Sequence, residues 1–227
     1  MTTLILKIGG NELDDTAFVA ELARAVAEMR PVPVLVHGGG KEIGAIQRAL
    51  GGEPRFVAGL RVTDEATIGI VEQTLNQEIN PQMVRTLREF DCKARGIHGE
   101  DILHVRPKTG RDPNTGETVS WGYVGEVVEV DVEPILAYLA AGIVPLITPL
   151  GRGPDRRVYN VNADEAASAV ARALHARKLV FLSDVPGLLA DPSDPTSVIS
   201  SVRVDEIDEL VARGVIAGGM LPKIGSA

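Results

Sequence analysis

The chain has 227 residues, enough for one large domain or two small ones and for a sizeable buried core. It is 44% hydrophobic and 24% charged, the balance of an ordinary soluble globular protein. A formal net charge of -8, with no basic run or aromatic-basic stripe, excludes non-specific nucleic-acid binding, though not binding of a nucleotide by a few placed lysines. Cys92 is the single cysteine, so an internal disulfide framework and a cysteine zinc site are excluded, and an inert, partly buried thiol is expected there. No apolar run approaches a membrane span, and the Met1–Gly10 segment is too short and wrongly flanked for a signal peptide. A cytoplasmic protein is the expectation.

In chain order, Leu4–Ile8 reads as a strand closed by Gly9 and Gly10. Phe18, Leu22, Ala25, Val26 and Met29 then recur at helical spacing until Pro31 and Pro33 end the helix. A short apolar strand, Val34 to His37, runs into Gly38-Gly39-Gly40, and Ile43, Ile46 and Leu50 give the following helix one apolar face. From Thr67 a helix carries Ile68, Val71, Leu75 and Ile79. Asn80-Pro81 is expected to break it, with Asn80 capping a second helix that runs to Phe90.

Between Cys92 and Val130 the composition shifts toward Gly, Pro and β-formers. Asp112-Pro113-Asn114-Thr115-Gly116 marks a turn between Ile102–Val105 and Val119–Val124, a hairpin projecting from the sheet. The same stretch echoes a calcium loop only faintly, since the spacing fails and the terminal Glu is missing. A helix over 134–141, a core strand over 143–148, a helix opened by 160–164, a strand over 178–183 and a short helix around Ile207, Leu210 and Val211 complete the order. Apolar strands alternating with helices predict an α/β protein, a mainly parallel sheet between helical layers.

Three glycines at a strand-to-helix turn let a ligand approach backbone closely, and the helix start adds free N–H groups and a positive dipole end, a site suited to phosphate or carboxylate. Lys7 ends the first strand, beside Gly9-Gly10, where open α/β sheets bind ligands. Alone it reads as a snorkelling surface lysine; opposite an anion its position is explained.

The segments LKIGG, VLVHGGG, GLRVTD, YNVNADEAA, FLSDVPG and GGMLPK, spread from Leu4 to Lys223, resemble in content and order those of the amino-acid kinase family. The resemblance implies a three-layer αβα sandwich and transfer of the γ-phosphoryl group of ATP to a side-chain carboxylate. GLRVTD and NVNAD narrow the acceptor to an acylated amino acid, N-acetyl-L-glutamate first. It further implies one domain with an acceptor lobe over about 1–150 and an ATP lobe over about 151–227. Lys7 and Lys223 match the family's lysines flanking the transferring group, Asp164 the acid that organises them, and Gly10, Gly39 and Gly40 the backbone donors. Arg61 and Asn160 match the substrate-binding pair. Gly9, Ser183, Asp184, Val185, Gly187, Leu188, Gly218, Gly219, Met220 and Lys223 match the nucleotide frame. Mg2+ would be held by phosphates and water, with no protein ligand.

Plainer readings stand beside these. Asp164 and Asn162 suit a helix start, and Arg61 suits a salt bridge with Asp64 or Glu65. His98, Glu100, Asp101 and His104 read as a polar loop, and His37 as a packed or hydrogen-bonded strand-end residue. No general base is needed, since the acceptor is ionised at neutral pH. The hairpin would lie over the acceptor pocket, and its sequence leaves the acyl preference open. The family pattern continues past Lys223 with a helix and strand, and its arginine-inhibited hexamers carry a helix ahead of the first strand, so a homodimer is the expectation. Siblings acting on aspartate, or on glutamate or aminoadipate bound to a carrier protein, and a non-catalytic amino-acid sensor remain as alternatives.

Overall fold

A computed structural model describes residues 3–111, 116, 118–183, 185, 187–191, 193–216 and 220–225. In chain order these give β1 (Leu4–Ile8), α1 (Thr16–Glu28), β2 (Val34–His37), α2 (Gly40–Ala49), β3 (Phe56–Val57), β4 (Leu60–Arg61) and α3 (Glu65–Gln73). Then follow α4 (Asn80–Glu89), β5 (Ala94–Ile97), β6 (Leu103–Arg111), β7 (Thr118–Val130), α5 (Glu133–Ala140), β8 (Val144–Ile147) and β9 (Leu150–Arg152). The chain continues through β10 (Val158–Asn160), α6 (Ala163–Ala173), β11 (Lys178–Leu182), α7 (Ile207–Ala212) and α8 (Met220–Gly225).

Five strands, in the order β11-β1-β2-β8-β5, form the main sheet, and every pairing in it is parallel. Strand alternation sends Leu6, Ile8 and Leu35 into one core with helices α1, α3 and α4, while Ile5, Val34 and Val36 enter a second core with α5 and α6. The sheet is thus covered on both faces, which is why its strands read as continuous apolar runs. Because the strands are parallel, Gly9, Gly38, Thr148, His98 and Ser183 all follow strand ends at one edge. Lys7 shares the parity of Ile5 and so faces α6.

The predicted hairpin leaves this sheet, as expected. Its strands are longer than the sequence suggests, and β6, β7, β9 and β10 pair in a closed ring of their own. The turn at 112–115 lies outside the described residues.

Two expectations are corrected. Asn80-Pro81 does not break the helix: α3 passes through a π turn, Thr74–Ile79, directly into α4. Proline lacks an N–H, and its ring clashes with the carbonyl four residues back, here Gln77. The wider i→i+5 spacing of the π turn falls on that residue and accommodates Pro81 without a stop. Asn80 is therefore no cap. It is buried, and its amide donates to the Leu146 carbonyl (3.0 Å) and to His37 Nε2 (3.1 Å). The second correction is Leu50, which follows the last turn of α2 and is 71% exposed rather than on its apolar face.

Candidate active site

Neighbouring strands β1 and β2 deliver their two glycine turns side by side. The Gly38 N–H donates to the Ile8 carbonyl (2.9 Å), and a Cβ on Gly10 would lie 3.1 Å from the Gly40 nitrogen. Backbone packs on backbone here, so any side chain would push the turns apart. A Cβ on Gly39 would meet Ile79 Cδ1 at 2.6 Å and Leu75 Cδ2 at 2.8 Å, which makes the π turn the floor beneath this glycine. Helix α2 starts at Gly40 with no side-chain cap, so its first N–H groups face the open edge of the sheet.

Helix α6 supplies the acid. Asn162 caps it, accepting from the N–H groups of Asp164 (2.9 Å) and Glu165 (3.2 Å), which answers the capping reading of that residue. The Asp164 carboxylate is left to face two cations. Lys7 Nζ stands 2.8 Å from Oδ1, and Lys223 Nζ donates to Oδ2 at 3.1 Å. All three side chains are largely buried, and Lys223 also lies over the Phe181 ring at 5.5 Å. Lysines from the first strand and the last described helix thus meet on one carboxylate.

Arg61 ends β4 and is 8% exposed. It makes no ion pair with Asp64 or Glu65: Asp64 caps α3, and Glu65 lies 3.6 Å from Arg157. Its guanidinium donates instead to Gln47 Oε1 (3.0 Å) and the Gly40 carbonyl (2.7 Å), and it stacks on Phe56 at 4.8 Å. Burial and nearby Arg48 push it below the ordinary arginine value. A buried cation held only by neutral acceptors is poised for an external anion. Asn160, at the end of β10, donates to Thr63 Oγ1 (3.3 Å).

These groups border one cleft of about 820 Å³. Lys7, Gly9, Gly10, Gly39, Gly40, Arg61, Asn160, Ser183, Val185, Met220 and Lys223 line it, with Asp164 behind the lysines. Gly187 and Leu188 lie in the loop after β11 and do not line it. Asp184, Gly218 and Gly219 lie outside the described residues. The local charge is cationic despite the acidic chain, since four of the lining side chains are Lys or Arg and one, Glu12, is acidic.

The family model described as "Amino acid kinase family" matches residues 2–227. The chain belongs to the amino acid kinase family. Acetylglutamate kinase of Methanopyrus kandleri is 43% identical over 98% of this chain and 88% of its own length. That of Roseiflexus sp. strain RS-1 is 45% identical over 99% of this chain and 83% of its own. Among solved structures, smu.665 from Streptococcus mutans UA159 aligns with a TM-score of 0.82 at 26% identity, covering 99% of this chain and 88% of that one.

Two residues beside this cleft escape sequence reading. Gln47 and Phe56 hold Arg61 from helix α2 and strand β3, and no local pattern couples them to it. His37 is fully buried, its Nδ1 donating to the Gly38 carbonyl (2.8 Å) while Nε2 accepts from Asn80; burial lowers its pKa to about 4. It is a neutral strut under the glycine turn, outside the cleft lining. Among the described residues no cluster of three His, Cys, Asp or Glu side chains forms a metal cage, and no helix is long and apolar enough to cross a membrane.

Proposed function

We infer that this chain transfers the γ-phosphoryl group of ATP to the side-chain carboxylate of N-acetyl-L-glutamate, giving N-acetyl-L-glutamyl 5-phosphate, a step of arginine biosynthesis. The observation that carries this reading is the pair Lys7 and Lys223 converging on Asp164 beside the glycine turns. The acetylglutamate kinases matched over nearly the whole chain supply the acceptor.

The chemistry requires two polyanions to approach in line, so the protein's task is positioning and charge stabilisation. Lys7 and Lys223 would neutralise the equatorial oxygens of the transferring group, with Asp164 fixing where both ammonium groups stand. N–H groups of Gly10, Gly39 and Gly40 would donate to the phosphoryl and to the attacking carboxylate. Arg61 would hold the acceptor's α-carboxylate in its planar fork and Asn160 would orient the rest of that molecule. Ser183, Val185 and Met220, which line the same cleft, would frame the nucleotide. An acceptor already ionised at neutral pH needs no base, in keeping with a site whose nearest histidine is buried and neutral.

Mg2+ fits this cleft as a phosphate-held ion. The protein offers no carboxylate cage among the described residues, yet Glu12 leaves a buried oxygen without a partner beside Gly9. Held by the phosphates, the ion would supply charge neutralisation of the polyphosphate.

The test is incubation with Mg-ATP, hydroxylamine and single candidate acids. Hydroxamate should form with N-acetyl-L-glutamate and not with aspartate, glutamate or aminoadipate. Product with aspartate alone would replace the acceptor, and ADP release with none of them would remove the assignment.

A further inference from the structure

Glu12 is the acidic side chain among those lining the cleft, and the chemistry described so far leaves it without a task. No lining cation is paired with it: Lys7 and Lys223 share Asp164, Lys41 pairs with Asp14, and Arg61 rests on neutral acceptors. Among the described residues no Lys, Arg or His stands within ion-pair distance of Glu12, and its Oε2 is buried with no hydrogen-bond donor. The carboxylate gets there because β1 stops at Ile8 and Gly10 begins a single tight turn, Asn11–Asp14, whose first turn carries Glu12. Gly9 lets it stay: a Cβ on that residue would collide with Oε2. The side chain thus lies on the same glycine turn that the nucleotide phosphates are read to use.

A lone carboxylate beside a polyphosphate is repulsive, the more so the less water lies between them. It is tolerated only if a cation comes between them. The cation that accompanies the nucleotide is Mg2+, which keeps several waters and takes few protein carboxylates. We propose that Glu12 accepts hydrogen bonds from the water shell of the nucleotide's Mg2+, so that this chain selects metal-loaded over metal-free nucleotide. The proposal rests on the kinase reading above and adds a residue that reading does not use.

Calorimetric titration of the full chain with a non-hydrolysable ATP analogue, once with Mg2+ and once with EDTA, separates the possibilities. The Glu12→Gln variant keeps shape and loses charge. Its affinity for the metal-loaded analogue should fall while its affinity for the metal-free analogue rises, narrowing the ratio of the two by roughly tenfold, the scale of a charge-assisted hydrogen bond. Glu12→Asp, which keeps the charge, should hold the ratio nearer to the parent's. A thermal melt of each variant accompanies the titrations. If both affinities fall together, or the ratio does not move, Glu12 only packs on Gly9 and the proposal is overturned while the kinase reading stands. If the parent chain binds no nucleotide in either condition, both fall.

Discussion

Lys7 is 7% exposed, and a buried ammonium survives in a fold only where anions meet it. Asp164 meets it now, but shares its charge with Lys223, so two cations face one carboxylate. The excess positive charge is what a transferring phosphoryl group would compensate, and it matters most as that group separates from the leaving oxygen. Lys7→Ala should therefore reduce kcat by about 10²- to 10³-fold with little change in acceptor KM, as steady-state hydroxamate kinetics would show. Arg61 predicts the opposite split. Its fork is oriented by Gln47, Gly40 and Phe56, and lysine can reproduce the charge but not the geometry. Arg61→Lys should raise the KM for N-acetyl-L-glutamate by about 10- to 100-fold and move kcat far less. A fall in kcat matched by an equal rise in KM for either variant would reassign that residue.

At the scale of elements, the joint between α3 and α4 controls the glycine turn from below. Ile79 and Leu75, both in the π turn, fill the space where a Gly39 side chain would stand. Gly39→Ala should lower stability by about 1–3 kcal/mol in denaturant unfolding and reduce activity further than that loss explains. Asn80 ties the same joint to β8 and, through His37, to β2. His37 takes up its proton near pH 6.5 when unfolded but only near pH 4 when folded. Between those values the unfolded chain binds the extra proton, so stability present above pH 6.5 is lost as pH falls toward 4, on the order of 3 kcal/mol in all. Replacing His37 with Gln, which cannot charge, should flatten that slope in urea melts taken across this window. A parent slope left unchanged by the substitution would remove His37 as its source. His37 reads from the sequence as a packed or hydrogen-bonded strand-end residue, as found, but this joint is not legible there: Asn80-Pro81 reads locally as a helix break, and its partners Leu146 and His37 are remote in the chain.

Across the whole molecule, the parallel sheet and its covering helices were legible because strands buried on both faces are continuously apolar and the helices between them keep their period. The cleft was legible in part. Lys7 stands out as a charge beside a glycine turn, and Arg61, Asp164 and Lys223 through the segments shared with the amino acid kinase family, whereas Glu12, Gln47 and Phe56 acquire meaning only from neighbours that folding brings to them. The ring of β6, β7, β9 and β10 was likewise hidden, since β9 and β10 are three residues each and join it through single pairings at two of its edges. What the fold achieves as a unit is to bring the first strand and the last described helix to one acid at the open edge of the sheet.

A crystal structure with N-acetyl-L-glutamate, Mg-ADP and a planar phosphoryl mimic such as aluminium fluoride measures that directly. Both Lys7 Nζ and Lys223 Nζ should lie within about 3 Å of the mimic while still touching Asp164. A mimic reached by neither lysine, or by only one of them with the other turned to solvent, would contradict the account.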